Sequence, residues 1–219
     1  MSILQHTLTR IADTAATTHV SIDYTLFHAI NGGAGHHLAL DALMIVAAKY
    51  SPVLLALVLA ALWLTWKNRN QRGALLAGLS GLVALGIGQI VGILFPRDRP
   101  YLAHHVTLLI PHAPDTSFPS DHATLAFAVA VMVWKFNRRL GGALLGLGVL
   151  VSIARVFIGA HYPTDVIGGA VLGSVTSLLI NAAMHRAFVA RALDRLFALL
   201  VRLRLAASPT RAPSDARAL

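Results

Sequence analysis

The sequence predicts an all-α protein, a polytopic membrane helix bundle with about five transmembrane helices and an N-terminal interfacial helix. Three observations lead to this fold class: 56% of the 219 residues are hydrophobic, 12% are charged, and the mean hydropathy is +0.68. A soluble domain carries about a quarter charged residues. Since so few polar side chains cannot cover a globule in water, the remaining apolar surface requires lipid.

Residues 1–37 are expected to form an N-terminal interfacial segment. Its apolar residues share one helical face in a weak amphipathic pattern that suits a membrane surface, although a frayed terminus fits the same pattern. These residues are Leu4, Leu8, Ile11 and Ala15. The glycine-rich run 31–35 then predicts a turn, because glycines break helices.

Five apolar stretches follow, over residues 38–66, 73–95, 119–134, 140–158 and 164–183. Their lengths suit a hydrocarbon core of roughly 30 Å, except that the third is short and needs its polar first turn inside the protein. Together they predict one membrane-embedded domain over residues 38–190, and residues 191–219 form a basic tail.

The net charge of +9 indicates membrane topology and not a nucleic-acid partner. The basic residues gather in the connectors 67–72 and 135–139 and after Arg186, without a continuous basic face. The positive-inside rule places these segments and the C-terminus in the cytoplasm. Alternation then places residues 96–118 and 158–163 outside. The tail is expected to extend the last span as a basic amphipathic helix on anionic lipid, and residues 208–219 to be disordered.

Three polar clusters lie at the outer ends of these stretches. In the first, Arg97 and Arg99 are either membrane anchors or a guanidinium fork for phosphate oxygens. The second runs from Ser117 to His122 at a helix start, where free N–H groups bind anions. There Ser120 offers a hydroxyl and His122 a titratable proton, and an ordinary capped helix is the structural alternative.

The third cluster combines Arg155, His161 and Asp165. Pro163 is expected to open the last helix, so Asp165 in its first turn reaches back towards His161. A carboxylate on one imidazole nitrogen fixes the tautomer and leaves the other nitrogen free to attack. A satisfied interfacial pair fits the same two residues. Taken together, however, the clusters supply the cations, the proton donor and the nucleophile that phosphoryl transfer needs.

These motifs resemble the type 2 phosphatidic acid phosphatase superfamily of membrane lipid phosphatases. The resemblance rests on Arg99-Pro100, on Pro119-Ser120-x-His122, and on Arg155 with His161 and Asp165 at the same spacing. The sequence over residues 95–100 and 117–123 is similar to the bacitracin-resistance branch of the superfamily. Members of this branch are undecaprenyl-diphosphate phosphatases of the bacterial inner membrane.

The resemblance implies a role for each motif residue. His161 would be the nucleophile that forms a phosphohistidine, Asp165 its orienting carboxylate and His122 the general acid. Arg99, Arg155 and Ser120 would hold the phosphate. The implied substrate is a polyprenyl diphosphate lipid, with no cofactor, and the active site would face the periplasm. The oligomeric state is open.

Three positions depart from the superfamily pattern. Gly92 stands where a lysine is usual, Asp121 where a glycine is usual, and Ala154 where a serine is often found. Arg97, Asp121 and Lys49 are therefore further candidates for phosphate binding. A lysine inside a span is costly unless it has a partner, so Lys49 either supplies the missing cation or pairs structurally with Asp41 or Tyr50.

Other interpretations remain open at this stage. Phosphatidic acid or phosphatidylglycerophosphate are alternative substrates, and a small anion transporter is the non-enzymatic alternative. The chain has no cysteine, which excludes thiolate metal sites. Five histidines near the outer face are interpreted as solvated loop residues and not as metal ligands. They are His36, His37, His104, His105 and His112.

The absence of native cysteines makes the topology directly testable. We expect His105→Cys to react with an impermeant maleimide in intact cells and Asn137→Cys to react only after the membrane is opened, because basic connectors face the cytoplasm. The reversed labelling pattern would place the polar clusters in the cytoplasm.

Overall fold

The computed structural model describes residues 22–207, apart from the side chains at 188 and 189. Within this range the chain is helical and contains no strand, so the all-α prediction is confirmed. A first helix, α1, covers residues 22–31. The helices that follow are α2 (Leu38–Leu64), α3 (Asn68–Leu94), α4 (Pro100–Ala103), α5 (Asp121–Phe136), α6 (Arg138–Phe157), α7 (Pro163–Ala183) and α8 (Ala187–Arg202). The amphipathic face and the C-terminal disorder expected at residues 1–20 and 208–219 lie outside the described residues.

Four of the five expected spans are long and apolar enough to cross a membrane: α2, α3, α6 and α7. The third expected span corresponds to α5, which has 16 residues and is therefore about 24 Å long. The buried residues of α5 lie around the whole helix, which packs against α3, α6 and α7. Because its neighbours enclose it, α5 does not have to match the bilayer thickness by itself.

Large apolar side chains point outward along the spans. Examples are Leu57, Leu82, Ile90, Ile167 and Leu179, all more than half exposed. A soluble monomer does not present apolar surface of this extent, whereas a lipid-facing surface requires it. The chain is a membrane protein.

Helix α8 packs against the end of the bundle that lies opposite the polar clusters. Residues 184–186 interrupt the helix after α7, so the expected continuous extension of the last span is wrong. On α8, Phe197 is buried, and its ring centre lies 6.3 Å from that of Trp63. Asp194 forms an ion pair with Arg72. These contacts hold the apolar face of α8 against α2 and α3. After the break, α8 begins at Ala187.

Helix α1 and the turn after it close the other end. Phe27 is fully buried, and its ring packs edge-on against Tyr162 at 5.6 Å. Asn31 donates to the carbonyl oxygens of Thr107 and Phe157 at 2.8 and 2.7 Å. The turn predicted at residues 31–35 is confirmed. These bonds tie the end of α1 to the outer loop and to the end of α6.

Helices α5 and α7 approach closely because α7 presents glycines to α5. A Cβ atom at Gly173 would lie 2.2 Å from the main-chain oxygen of Thr124 and 2.8 Å from the main-chain nitrogen of Ala128. Main-chain atoms of a packed helix cannot move aside like the end of a flexible side chain. Any side chain at Gly173 therefore has to separate the two helices.

We expect Gly173→Ala to lower the free energy of unfolding by about 1–3 kcal/mol, the usual cost of overpacking. Gly146→Ala is the matched control, because no heavy atom lies within 4 Å of a Cβ at that helical position. Thermal unfolding of both variants in the same detergent measures the difference. An unchanged melting temperature for Gly173→Ala would contradict the close packing.

Candidate active site

The polar clusters meet at one end of the bundle. Arg99 precedes α4, Ser120 is the residue directly before α5, and Arg155 lies in the last turn of α6. His161 follows in the short break before α7. Gly159 makes this break possible, because its φ of +86° is a conformation that side-chain-bearing residues rarely adopt.

His161 is 2% exposed and hydrogen-bonded at both ring nitrogens. Its Nδ1 lies 2.8 Å from the main-chain oxygen of Ser117. Its Nε2 lies 3.0 Å from Nη1 of Arg99 and 3.2 Å from Nη2 of Arg155. A carbonyl only accepts and a guanidinium only donates, so both contacts require the same tautomer. Nδ1 carries the proton, and the Nε2 lone pair faces the two arginines.

The surroundings of His161 favour its neutral form. Burial, with the neighbouring cations Arg155 and Arg99, lowers the pKa of His161 to about 4, although the nearby Asp165 carboxylate acts in the opposite direction. The ring is therefore neutral at physiological pH. A neutral imidazole with a free lone pair is the form that can attack phosphorus.

Loop residues and main-chain carbonyls hold the two arginines in place. Nε of Arg99 donates to Asp115 at 2.7 Å, and Nη1 donates to the carbonyl oxygen of Ala160 at 3.1 Å. Nη2 of Arg155 donates to Nε2 of His112 at 2.8 Å. Burial and the two arginines lower the pKa of His112, so this imidazole is a neutral acceptor.

Two buried side-chain donors in this region have no hydrogen-bond partner among the described residues: Oγ of Ser120 and Nε of Arg155. Ser120 is the N-cap residue of α5, but its hydroxyl does not cap the helix. The structural alternative of an ordinary serine cap is therefore wrong. A hydroxyl, a guanidinium edge and the free N–H groups of a helix start together suit an anion.

Asp121 and His122 occupy the first turn of α5. Asp121 accepts from Nε2 of Gln89 on α3 at 3.1 Å. His122 lies near the Arg155 guanidinium and near the rings of His161 and His112. The structure thus brings His122 to the same site as His161, as the sequence predicted.

Asp165 is fully buried, but it is not the direct hydrogen-bond partner of His161. Its Oδ2 lies 3.7 Å from Nδ1 of His161 and accepts from Oγ of Ser117 at 2.5 Å and from the N–H of Tyr162 at 2.8 Å. Its Oδ1 accepts from Arg97 at 2.8 Å. Asp165 therefore acts on the imidazole mainly through Ser117, whose main-chain oxygen is the acceptor for Nδ1.

Arg97 and Lys49 do not join the two arginines around His161. The Arg97 guanidinium is engaged by Asp23 and Asp165, at 2.6 and 2.8 Å. Lys49 is exposed on α2, with Nζ 5.4 Å from the ring centre of Tyr50. This contact agrees with the structural alternative in which Lys49 pairs with Tyr50.

Sequence reasoning missed several residues of the site. Asp23 and Thr164 had no role assigned, and Asp115 and His112 lie in a loop that we interpreted as solvated. Ser117 was part of a recognised motif, yet its contribution is a main-chain oxygen, which no side-chain pattern indicates. Among residues 22–207, no three histidine or acidic side chains form a group arranged to hold a metal ion. His104 instead packs against the ring of Tyr24 in a tilted arrangement, with ring centres 4.0 Å apart.

A helical membrane bundle in which two buried arginines contact one neutral imidazole has the groups that an integral-membrane phosphatase needs. The family model of the PAP2 superfamily matches residues 73–188, and the chain belongs to that superfamily. The resemblance inferred from the motifs is thereby confirmed. The protein is a PAP2-type membrane lipid phosphatase.

Relatives support the same assignment. The chain is 37% identical over 158 residues to undecaprenyl-diphosphatase BcrC of Bacillus subtilis strain 168, covering 72% of this chain and 82% of that protein. It is 34% identical over 155 residues to the bacitracin transport permease protein BcrC of Bacillus licheniformis, covering 70% and 76%. The crystal structure of Aquifex aeolicus LpxE matches with a TM-score of 0.59 at 24% identity, covering 73% of this chain and 94% of that one. This last match shows the shared fold.

The tautomer of His161 is testable by ¹⁵N NMR of histidine-labelled protein, with His161→Gln identifying the signal. We expect a protonated Nδ1 and an unprotonated Nε2 from pH 8 down to about pH 5, because protonation begins only near the lowered pKa of about 4. A titration midpoint close to 6.5, the ordinary value for histidine, would contradict the buried, arginine-flanked geometry.

Proposed function

We propose that this protein hydrolyses undecaprenyl diphosphate to undecaprenyl phosphate and inorganic phosphate through a phosphohistidine on His161. The observation that carries the proposal is the convergence of Arg99 and Arg155 on Nε2 of His161, at 3.0 and 3.2 Å. A phosphate held by these guanidiniums has its phosphorus next to the lone pair that attacks it.

In the first step, Nε2 of His161 forms a bond to the terminal phosphorus while the bridging P–O bond breaks. Arg99, Arg155, the hydroxyl of Ser120 and the N–H groups that open α5 stabilise the charge on the equatorial oxygens. His122 gives a proton to the departing oxygen of the lipid phosphate. The hydrogen bond from Nδ1 to Ser117 supports the positive charge that develops on the His161 ring.

In the second step, water attacks the phosphohistidine. His122 now takes a proton from that water, the Nε2–P bond breaks, and inorganic phosphate leaves. The same residue thus serves as acid and then as base, which restores the enzyme. No step requires a metal, because the arginines and the helix start supply the electrostatic stabilisation.

The substrate proposal is supported by the relatives of the chain. One relative carries the name undecaprenyl-diphosphatase, and another carries a bacitracin-related name. We expect the second phosphate to lie near Asp121 in the first turn of α5, where Gln89 of α3 donates to its carboxylate at 3.1 Å. Arg97 and Lys49 are not proposed as phosphate ligands, because Arg97 is engaged by Asp23 and Asp165 and Lys49 lies beside Tyr50.

The location proposed for this reaction is the outer face of the bacterial inner membrane, with the C-terminus in the cytoplasm. The basic connectors described above support this orientation. On that face the enzyme would return the lipid carrier of cell-wall synthesis to its monophosphate form, and a larger amount of enzyme would raise bacitracin resistance.

The nucleophile is tested by trapping acid-labile phosphate on the protein. We expect His161→Ala to abolish turnover and trapping while the variant stays folded, because no other group of the proposed site attacks phosphorus. His122→Ala should lower kcat by about 10²–10⁴ and still form phosphoenzyme from substrates with good leaving groups. Phosphate trapped on His161→Ala would exclude this assignment.

The substrate is tested by comparing undecaprenyl diphosphate with phosphatidic acid at equal mole fractions in the same micelles. We expect kcat/KM to favour the diphosphate by about tenfold or more, since one further charge-assisted hydrogen bond contributes about 1.5–3 kcal/mol. Lys49→Ala is the control and should leave the ratio unchanged. Equal or faster hydrolysis of phosphatidic acid would indicate a general lipid phosphatase.

A further inference from the structure

Asp23 is a buried carboxylate on α1 that the mechanism above does not use. Its side chain is 4% exposed. Oδ1 accepts from the N–H of Thr164 at 3.0 Å, and Oδ2 accepts from the Thr164 hydroxyl at 2.5 Å. Oδ2 also accepts from Nη2 of Arg97 at 2.6 Å. Asp23 thus caps the first turn of α7 from another helix and gives Arg97 a counter-charge.

Arg97 connects Asp23 to Asp165. Its Nη1 donates to Oδ1 of Asp165 at 2.8 Å and to the Thr164 hydroxyl at 2.7 Å. Its guanidinium carbon lies 4.0 Å from the ring centre of Tyr162. The Arg97 guanidinium is therefore held by Asp23 on one edge, by Asp165 on another and by the Tyr162 ring on one face, so its position depends on both carboxylates. A charged side chain this constrained transmits the position of one carboxylate to the other.

The series of bonds continues to the imidazole. Asp165 accepts from the Ser117 hydroxyl, and the main-chain oxygen of Ser117 accepts from Nδ1 of His161. The N–H of Ser117 donates to the main-chain oxygen of Arg97 at 2.8 Å, which closes a second connection. None of these bonds involves Arg99 or Arg155. The network therefore reaches the nucleophile from the side opposite the phosphate-binding groups.

We propose that Asp23 is a positioning residue for catalysis. It holds Arg97 against Asp165, and this pair fixes the Ser117 carbonyl that sets the tautomer and the direction of the His161 ring. The proposal rests on the proposed role of His161 as nucleophile. When the Asp23 charge is removed, Arg97 keeps one carboxylate and turns away, and the Ser117 carbonyl shifts with it. Phosphate binding by Arg99, Arg155 and Ser120 is left intact.

The test is steady-state and single-turnover kinetics of Asp23→Asn, which keeps the size of the side chain and an acceptor for Thr164. We expect kcat and the rate of phosphoenzyme formation to fall about tenfold or more, as small misplacement of a reacting group does, with KM changed less than about twofold. Asp23→Glu should restore part of kcat. Asp41→Asn is the matched control, because Asp41 also accepts from a main-chain N–H, that of Gly35 at 3.1 Å, outside this network.

A double-mutant comparison separates positioning from general stability. Asp23→Asn should have little further effect on kcat in an Arg97→Gln background, since both changes break the same connection. A wild-type kcat per folded molecule for Asp23→Asn, whatever its melting temperature, would overturn the proposal. Should Asp23→Asn fail to fold, Arg97→Lys must show the same loss of kcat at unchanged KM. A wild-type kcat in Arg97→Lys would also overturn the proposal.

The two hypotheses fail in different ways. Turnover by His161→Ala would remove the proposed nucleophile. Inactive His161→Ala together with wild-type phosphoenzyme formation by Asp23→Asn would leave the nucleophile in place and exclude Asp23 as its positioning residue.

Discussion

The active site depends on the close approach of α5 and α7. Gly169 and Gly173 present no side chain there, so the main chain of α7 lies directly against α5. The N–H of Ser120 donates to the main-chain oxygen of Asp165 at 3.0 Å and joins the first turns of the two helices. Because of this bond, the start of α5 faces His161, the proposed nucleophile, which precedes α7. Two sequence clusters that are far apart along the chain thereby become one site.

Burial of the two arginines costs the fold stability. Arg99 and Arg155 are each 4% exposed and converge on one neutral imidazole. Burying charge without full compensation costs several kcal/mol per ion. Among the described residues, the carboxylate that pairs directly with Arg99 is the exposed Asp115. In the proposed reaction, the phosphate of the substrate would supply the missing counter-charge. The free-energy cost of the buried charges is therefore present in the free enzyme and would be relieved when an anion binds. Such a site favours an anionic ligand.

The sequence predicted the spans and most of the site, because hydropathy and residue type carry those features. Arg99, Arg155, Ser120, His122 and His161 meet as expected. The limits have physical causes. Arg97 and Arg99 look equivalent in sequence, and only their tertiary partners decide that one faces Asp165 and the other His161. The acceptor for Nδ1 is a main-chain oxygen, and Asp23 comes from a helix remote in sequence, so no local pattern could indicate either.

Gly92 shows how a departure from the superfamily pattern belongs to this site. A Cβ atom there would lie 2.8 Å from Cγ2 of Thr116 and 3.2 Å from the main-chain oxygen of Phe118. The glycine lets the loop that contains Ser117 rest directly on α3. A lysine at this position would displace the loop and, with it, the carbonyl that orients His161. In this chain Gly92 therefore allows the loop that supports His161 to pack closely, and in the proposed mechanism the positive charge around the phosphate comes from Arg99 and Arg155.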